Sequence, residues 1–267
     1  MAEKATVTKL EPKRPPIHVA AYGGPGAGKS YFFSTFPQPI CVAHFDARGK
    51  DLPFWRLGKP GQLMKDKHDV EFREILTPDK KLAARIEYYH DPLVDEPKAA
   101  AQFLERMNRV PREVEKGLIR TFVFETVTSA SLKSRKMYEY DLKPGAKDPR
   151  KWYGGAVDVL EEVLMIQLPA LECNVCVGLH VSKTKVEAEG TMVRAPFLPG
   201  RLMEYFASQW PEIYRVYVDK DREGKRRILQ TESDEKWEAA TQIQAPDESP
   251  AEYRRLWKVW DKMQTPS

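Results

Sequence analysis

The chain lacks the features that would place it in a membrane or direct it out of the cell. No apolar run approaches the roughly 20 residues that a membrane-spanning helix requires. The first residues, MAEKATVTKLEPKRPP, contain no apolar signal core, so we expect a cytoplasmic protein with no membrane partner. The net charge of +4 is small for 267 residues. It permits a nucleic-acid partner without requiring one, because local clusters of charge matter more than the total.

Cysteine is also scarce, with three in the whole chain. Cys173 and Cys176 form a C-x-x-C pair, but a zinc site would need a second pair, which is missing. The surrounding residues, LECNVCVGLH, are typical of a buried strand. We therefore interpret these cysteines as buried side chains rather than as a redox pair.

The most informative stretch that is present is AAYGGPGAGKS, which ends at Ser30. Its last eight residues fit G-x-x-x-x-G-K-S, in which glycines let backbone N–H groups surround an anion. Lys29 would reach the β- and γ-phosphates of a nucleotide, and the Ser30 hydroxyl would hold Mg²⁺. An apolar strand precedes the motif and a helix follows it, as this site requires. The predicted nucleotide contacts are Gly23, Gly24, Pro25, Gly26, Ala27, Gly28, Lys29, Ser30 and Tyr31.

Alternating strand and helix patterns follow this loop, which predicts a mostly parallel sheet covered on both faces. The strongest strand signal is IRTFVFET, residues 119–126, whereas residues 49–80 give no clear pattern. We expect a loose tail over residues 1–15, an α/β core over 16–245 and a C-terminal amphipathic helix over 246–267.

The C-terminal segment SPAEYRRLWKVWDKM is predicted to be helical, with Ser249 as its N-cap and Pro250 in its first turn. Its apolar side chains share one face and are Tyr253, Leu256, Trp257 and Trp260. This face either docks on the core of the chain or contacts a neighbouring subunit or partner protein.

The order of motifs resembles that of the RecA-like ATPases, in particular phage-encoded RecA-like proteins linked to single-strand annealing and recombination. The resemblance covers residues 16–235 and includes the phosphate loop, strands ending in HFDARGK, VFET and GLH, and the segment LPGRLMEYF…IYRV. It implies a RecA-like P-loop NTPase fold with a C-terminal β-hairpin, turning near DREG, and a C-terminal helix. It also implies ATP and Mg²⁺ as cofactors, ATP hydrolysis, and single-stranded DNA and a single-strand-binding protein as partners.

The resemblance further implies roles for individual residues. Glu125 stands where the family has the acidic residue that holds the Mg²⁺ shell, although the family uses Asp followed by Ser. The strand after the phosphate loop ends D-x-E in the family, but DAR here places Asp46 and Arg48. Arginine stays protonated and cannot act as a general base, so either Asp46 or Glu125 orients the attacking water, or hydrolysis is slow. His180 stands at the γ-phosphate-sensing position; the alternative is a structural histidine at a strand end.

Two basic segments, KPGAKDPRKWYGG and VSKTKVEAEGTMVRAPF, are predicted to be loops that contact single-stranded DNA. Cations pair with phosphates and aromatic rings stack on bases. The candidates are Lys147, Arg150, Lys151, Trp152, Tyr153, Lys183, Lys185 and Arg194. The alternative is that the charges form a solvated face and that the rings pack into the core.

In RecA-like assemblies the site lies between subunits, and a neighbour supplies a cation to the γ-phosphate. The candidates are Arg201, after LPG, and the hairpin cations Lys225, Arg226 and Arg227. A head-to-tail homo-oligomer, either a ring or a filament, follows from such contacts. Two other functions stay open: an ATP-dependent motor or assembly factor with protein partners, and a slow or non-hydrolysing nucleotide switch.

Overall fold

The computed structural model describes residues 15–46, 51–91, 93, 96–141, 149–186, 191–221 and 224–264. The strands in this part of the chain are β1 (His18–Tyr22), β2 (Ile40–His44), β3 (Lys59–Pro60), β4 (Met64–Lys65), β5 (Glu71–Leu76), β6 (Leu82–Tyr88), β7 (Thr121–Glu125), β8 (Asn174–Leu179), β9 (Val181–Val186), β10 (Thr191–Pro196), β11 (Glu212–Asp221), β12 (Gly224–Gln230), β13 (Ala240–Thr241) and β14 (Glu248–Pro250). The helices are α1 (Lys29–Phe33), α2 (Leu52–Trp55), α3 (Ala99–Met107), α4 (Val110–Glu115), α5 (Val127–Asp141), α6 (Pro149–Glu161), α7 (Leu202–Gln209) and α8 (Tyr253–Gln264). A π-helical segment, Glu162–Gln167, directly continues α6.

Parallel strands form the centre of the main sheet, in the order β11, β1, β8, β7, β2 and β6. Because β8 lies between β1 and β7, the strand that leads into the phosphate loop is not adjacent to the strand that ends at Glu125. Antiparallel strands extend both edges, with β12 and β14 beyond β11, and β5 and β3 beyond β6. Strands β9 and β10 form a separate hairpin. The predicted fold class, a mostly parallel α/β sheet with a C-terminal hairpin and helix, is confirmed.

The central strands bury both of their faces, because helices cover the sheet on both sides. Successive side chains of a strand point in opposite directions, and in β1 Ala20 and Tyr22 enter one core while Val19 and Ala21 enter the other. The first core contains side chains of α3, α5, α6 and α7. The second contains side chains of α1, α2 and α8.

The C-terminal helix docks on the second core. Leu256 is fully buried there, and Tyr253 and Trp260 pack against the same cluster. Docking on the chain's own core is therefore confirmed for these side chains. The expected N-cap is wrong: Ser249 lies in β14, paired with Leu229 of β12, and α8 begins only at Tyr253. Pairing with β14 satisfies the otherwise open edge of β12, which explains why strand replaces helix here.

Two further local expectations are wrong. Residues 149–155, predicted as part of a loop, form the first turns of α6, with Pro149 at the helix start, where its fixed φ is favourable. Most of the second predicted loop is the β9–β10 hairpin. Residues 51–80, which gave no clear sequence pattern, contain the short helix α2 and the antiparallel strands β3, β4 and β5. The predicted tail lies outside the described residues, except for residue 15.

Candidate nucleotide-binding site

A cleft of about 280 Å³ lies at the carboxyl ends of β1, β2, β7 and β8. In open parallel sheets, ligands bind at the carboxyl ends of the strands. The residues that line the cleft are Pro25, Gly26, Gly28, Lys29, Ser30, Tyr31, Asp46, Pro53, Glu125, Thr126, His180 and Arg227. Four candidates predicted from separate segments therefore share one cleft: Lys29, Asp46, Glu125 and His180.

Two glycines of the phosphate loop are required by its path. Gly28 has φ +109°, which is in the left-handed region that side chains other than glycine rarely adopt. A Cβ on Gly23 would lie 2.4 Å from the carbonyl oxygen of Val216 in β11. Glycine therefore allows the loop to pass this close to the neighbouring strand before it turns into α1.

Lys29 and Ser30 line the cleft, and the Lys29 side chain is buried, with 7% exposed. The Lys29 Nζ donates a hydrogen bond to the Gly23 carbonyl at 2.8 Å, which holds the ammonium against the phosphate loop. The Ser30 hydroxyl donates to the carboxylate of Glu125, which is buried at the end of β7. Hydroxyl and carboxylate oxygens are ligands that Mg²⁺ prefers, so Ser30 and Glu125 fit the predicted metal site.

Asp46 brings a second carboxylate into the cleft from the end of β2. Its Oδ1 accepts hydrogen bonds from the hydroxyls of Thr126, at 3.2 Å, and of Ser129. Sequence reasoning missed both hydroxyls, although Thr126 directly precedes α5 and Ser129 follows three residues later, a spacing at which the Ser129 N–H donates to the Thr126 hydroxyl as to an N-cap. Arg48, which raised the question of the general base, lies outside the described residues.

A buried polar cluster behind the cleft supports α2. The Asp51 carboxylate accepts hydrogen bonds from the Tyr88 hydroxyl at 2.6 Å and from the Trp55 indole at 3.0 Å. Burial opposes ionisation of Asp51, but these hydrogen bonds outweigh it and hold its pKa below the ordinary value. Burial lowers the pKa of neighbouring His44, although the carboxylates of Asp46 and Asp51 oppose the shift. The cluster fixes the segment that carries Pro53 to the cleft.

His180 connects the cleft to the β9–β10 hairpin. It follows β8 directly, lines the cleft, and accepts a backbone hydrogen bond from Phe197 at 2.7 Å. The residue therefore lies between the nucleotide cleft and the hairpin, as a sensing role would need. That role stays a prediction.

The candidate cations divide between two locations. Arg201, at the start of α7, does not line the cleft; its guanidinium binds Glu161 and Asp158 of α6, each at 2.9 Å. The predicted hairpin between β11 and β12 is confirmed, and of its cations Arg227 lines the cleft of its own chain. A role for Arg201 in the site of a neighbouring subunit stays a prediction.

The DNA-contact candidates lie on α6 and the β9–β10 hairpin. Lys147 lies outside the described residues. Arg150, Lys151 and Trp152 belong to the first turns of α6, and Lys183 and Lys185 belong to β9. Tyr153 is 43% exposed and borders a second cavity of about 390 Å³, together with Phe197 and Arg135. Arg194 of β10 stacks over the Trp237 ring, 4.7 Å from its centre.

Helix length and cysteine burial bear on two further expectations. Among the described residues, no helix is both long and apolar enough to cross a membrane. Cys41, Cys173 and Cys176 are buried, as expected for the pair, and burial raises the pKa of the Cys173 thiol to about 12.

The fold and the phosphate loop define a P-loop ATPase domain. The chain belongs to the AAA domain family, whose model matches residues 15–242. No curated protein sequence matches the chain significantly.

Solved structures with a related fold are distant in sequence. A KaiC-like protein from Pyrococcus horikoshii OT3 is 13% identical, with 80% of this chain and 77% of that chain covered and a TM-score of 0.40. The flagellar accessory protein FlaH from Methanocaldococcus jannaschii is 10% identical, with 88% and 84% covered and a TM-score of 0.43. The type III secretion ATPase EscN of enteropathogenic E. coli is 13% identical, with 78% and 42% covered and a TM-score of 0.44. Likenesses this distant give no information about what this chain acts on.

Proposed function

We propose that the protein binds and hydrolyses ATP with Mg²⁺ and acts on single-stranded DNA, in recombination, annealing or replication in the cytoplasm, as the phage proteins that it resembles do. The observation that carries the ATPase half is the shared cleft. One cavity at the carboxyl ends of the central strands brings together five residues from four segments of the chain: Lys29, Ser30, Asp46, Glu125 and His180.

The cleft contains the groups that phosphoryl transfer to water requires. Lys29 brings a positive charge to the β- and γ-phosphates, and Ser30 and Glu125 offer oxygen ligands to Mg²⁺. Mg²⁺, when bound, neutralises negative charge on the phosphates. Among the described residues, Asp46 and Glu125 are the two carboxylates that line the cleft, and either can accept a hydrogen bond from the attacking water. Each carboxylate already accepts a hydrogen bond from a serine hydroxyl in this arrangement. Because that bond competes with the attacking water, we expect slow basal hydrolysis.

The proposed DNA binding is supported by exposed aromatic side chains beside α6. Tyr153 and Phe197 are 43% and 40% exposed and border one cavity, which Arg135 also lines. Exposed rings beside cations suit unstacked bases and their phosphates. The β9–β10 hairpin begins directly after His180, so a nucleotide-dependent movement of this residue would reach the hairpin.

Assembly completes the proposal. We expect a head-to-tail homo-oligomer in which Arg201 reaches the site of a neighbour, and a single-strand-binding protein as a further partner. Heterologous contacts of this kind either close into a ring or propagate as a filament.

The test combines ATP turnover with DNA binding. Phosphate release is measured with and without single-stranded DNA, and anisotropy of a labelled oligonucleotide is followed across a salt series. We expect DNA-stimulated turnover and affinity that falls steeply with salt, because phosphate contacts release counterions. Turnover without any DNA binding would favour the motor or assembly factor with protein partners. DNA binding without turnover would favour the nucleotide switch.

A further inference from the structure

Arg227 lies directly against the phosphate loop of its own chain. It belongs to β12 and pairs with Val218 of β11, the strand next to the loop. A Cβ built on Gly28 would lie 2.5 Å from the Arg227 Cδ and 2.8 Å from its Nε. The absence of a side chain at Gly28 therefore leaves the space through which the arginine stem passes.

The guanidinium of Arg227 packs over the ring of Tyr31, and both residues line the cleft. Its central carbon lies 4.4 Å from the centre of the Tyr31 ring, and the guanidinium carbon of Arg56 lies 4.3 Å from the same centre. Such cation–π contacts orient the planar group. The phosphate loop, the first turn of α1 and the hairpin thus meet at one guanidinium.

This location corresponds to one particular part of a bound nucleotide. In a loop of this type the backbone N–H groups cradle the α- and β-phosphates, whereas the Lys29 amine reaches the β- and γ-phosphates; Arg227 lies against the loop backbone at Gly28. Arginine presents several donors in a fixed planar fork that matches phosphate oxygens. We propose that Arg227 binds the α- and β-phosphates of the nucleotide held by its own chain. The proposal rests on the nucleotide-binding half of the proposed function.

A cation with this role differs measurably from one that a neighbour supplies to the γ-phosphate. The α- and β-phosphates are present in both ADP and ATP, so loss of Arg227 should weaken both nucleotides to the same extent. A cation that acts on the γ-phosphate in the transition state should instead lower the turnover number and leave ADP affinity unchanged.

The experiment measures the affinity of fluorescent ADP and of a fluorescent non-hydrolysable ATP analogue. Arg227→Met keeps most of the apolar stem over Gly28 and removes the charge; Arg227→Lys restores a charge without the planar fork. Arg226→Ala is the matched control, because Arg226 is adjacent in β12 but pairs with Asp219 and does not line the cleft. We expect Arg227→Met to weaken both nucleotides about 10- to 100-fold, as the loss of hydrogen bonds to a charged group does. Arg227→Lys should recover part of the loss. Arg226→Ala should bind ADP as the wild type does, because ADP lacks the γ-phosphate to which a neighbour would supply this cation.

Equal ADP affinity in Arg227→Met and wild type would overturn the proposal, as would a loss confined to the ATP analogue or to turnover. Circular dichroism and thermal melting establish that the variant is folded; if it is not, Arg227→Lys is compared with wild type in the same assay. Mixing Arg227→Met with Lys29→Ala gives an independent result, because each change damages the site of the chain that carries it. At subsaturating ATP we expect the mixture to turn over no faster than the sum of the two variants measured separately, and a higher rate would overturn the proposal. Wild-type protein that bound neither nucleotide would refute the proposed function itself.

Discussion

Replacement of Glu125 by glutamine separates the chemical role of this residue from its structural role. The glutamine has the same length, and its amide oxygen can still accept the hydroxyl hydrogen bond that Ser30 donates to Glu125. The free energy of unfolding should therefore change by about 1 kcal/mol or less, the net value of one such bond. The variant loses the negative charge, which would also serve Mg²⁺, and the ability to accept a proton, and it gains an amide N–H₂ donor.

The rate of hydrolysis should fall much further. A positioned carboxylate that orients or deprotonates the attacking water contributes about 10²- to 10⁴-fold, which corresponds to about 3–5 kcal/mol of activation free energy. The assay is single-turnover phosphate release at saturating ATP and Mg²⁺, with nucleotide affinity measured in parallel. Asp46→Asn is measured in parallel as the rival assignment, because Asp46 is the other carboxylate among the described residues that line the cleft. Hydrolysis by Glu125→Gln at the wild-type rate, with a loss in Asp46→Asn instead, would refute the assignment of Glu125.

The remaining predictions concern binding and stability. Lys29→Ala should abolish nucleotide binding or turnover without unfolding the protein, and an unchanged ATPase rate would contradict the phosphate-loop assignment. Leu256→Ala removes a fully buried side chain from the contact between α8 and the core and should cost about 2–5 kcal/mol in chemical denaturation; a change under about 0.5 kcal/mol would contradict the docking. His44 has a pKa lowered by burial from 6.5, so below this value the unfolded chain binds more protons than the folded chain. Its contribution to stability is therefore present above pH 6.5 and is lost as pH falls. Wild type should lose more stability than His44→Gln when denaturation at pH about 8 is compared with pH about 5, and parallel losses would contradict this assignment.

The phosphate loop could be predicted from sequence because its chemistry is local. The glycines, Lys29 and Ser30 are consecutive in the chain, and the strand before them and the helix after them follow from short-range apolar patterns. The parallel α/β class follows from the same alternation of elements. Three further site residues could be predicted because each ends or follows a strand pattern: Asp46, Glu125 and His180. The carboxyl ends of parallel strands lie on the same side of a sheet, where ligands bind. The resemblance to RecA-like proteins supplied their roles, which stay predictions.

Strand pairing decided what the sequence left open. Ser249 has the residue type of an N-cap, but it lies in β14, which pairs with the otherwise open edge of β12. That edge exists only in the assembled sheet. The cations Arg201 and Arg227 are equally plausible neighbours of a phosphate when the sequence is considered alone. The structure places Arg227 against Gly28 and Tyr31, while Arg201 is held by carboxylates of α6. Which long side chain reaches a site depends on the register between strands far apart in sequence, and that register is set by packing across the whole sheet rather than by local residue preferences.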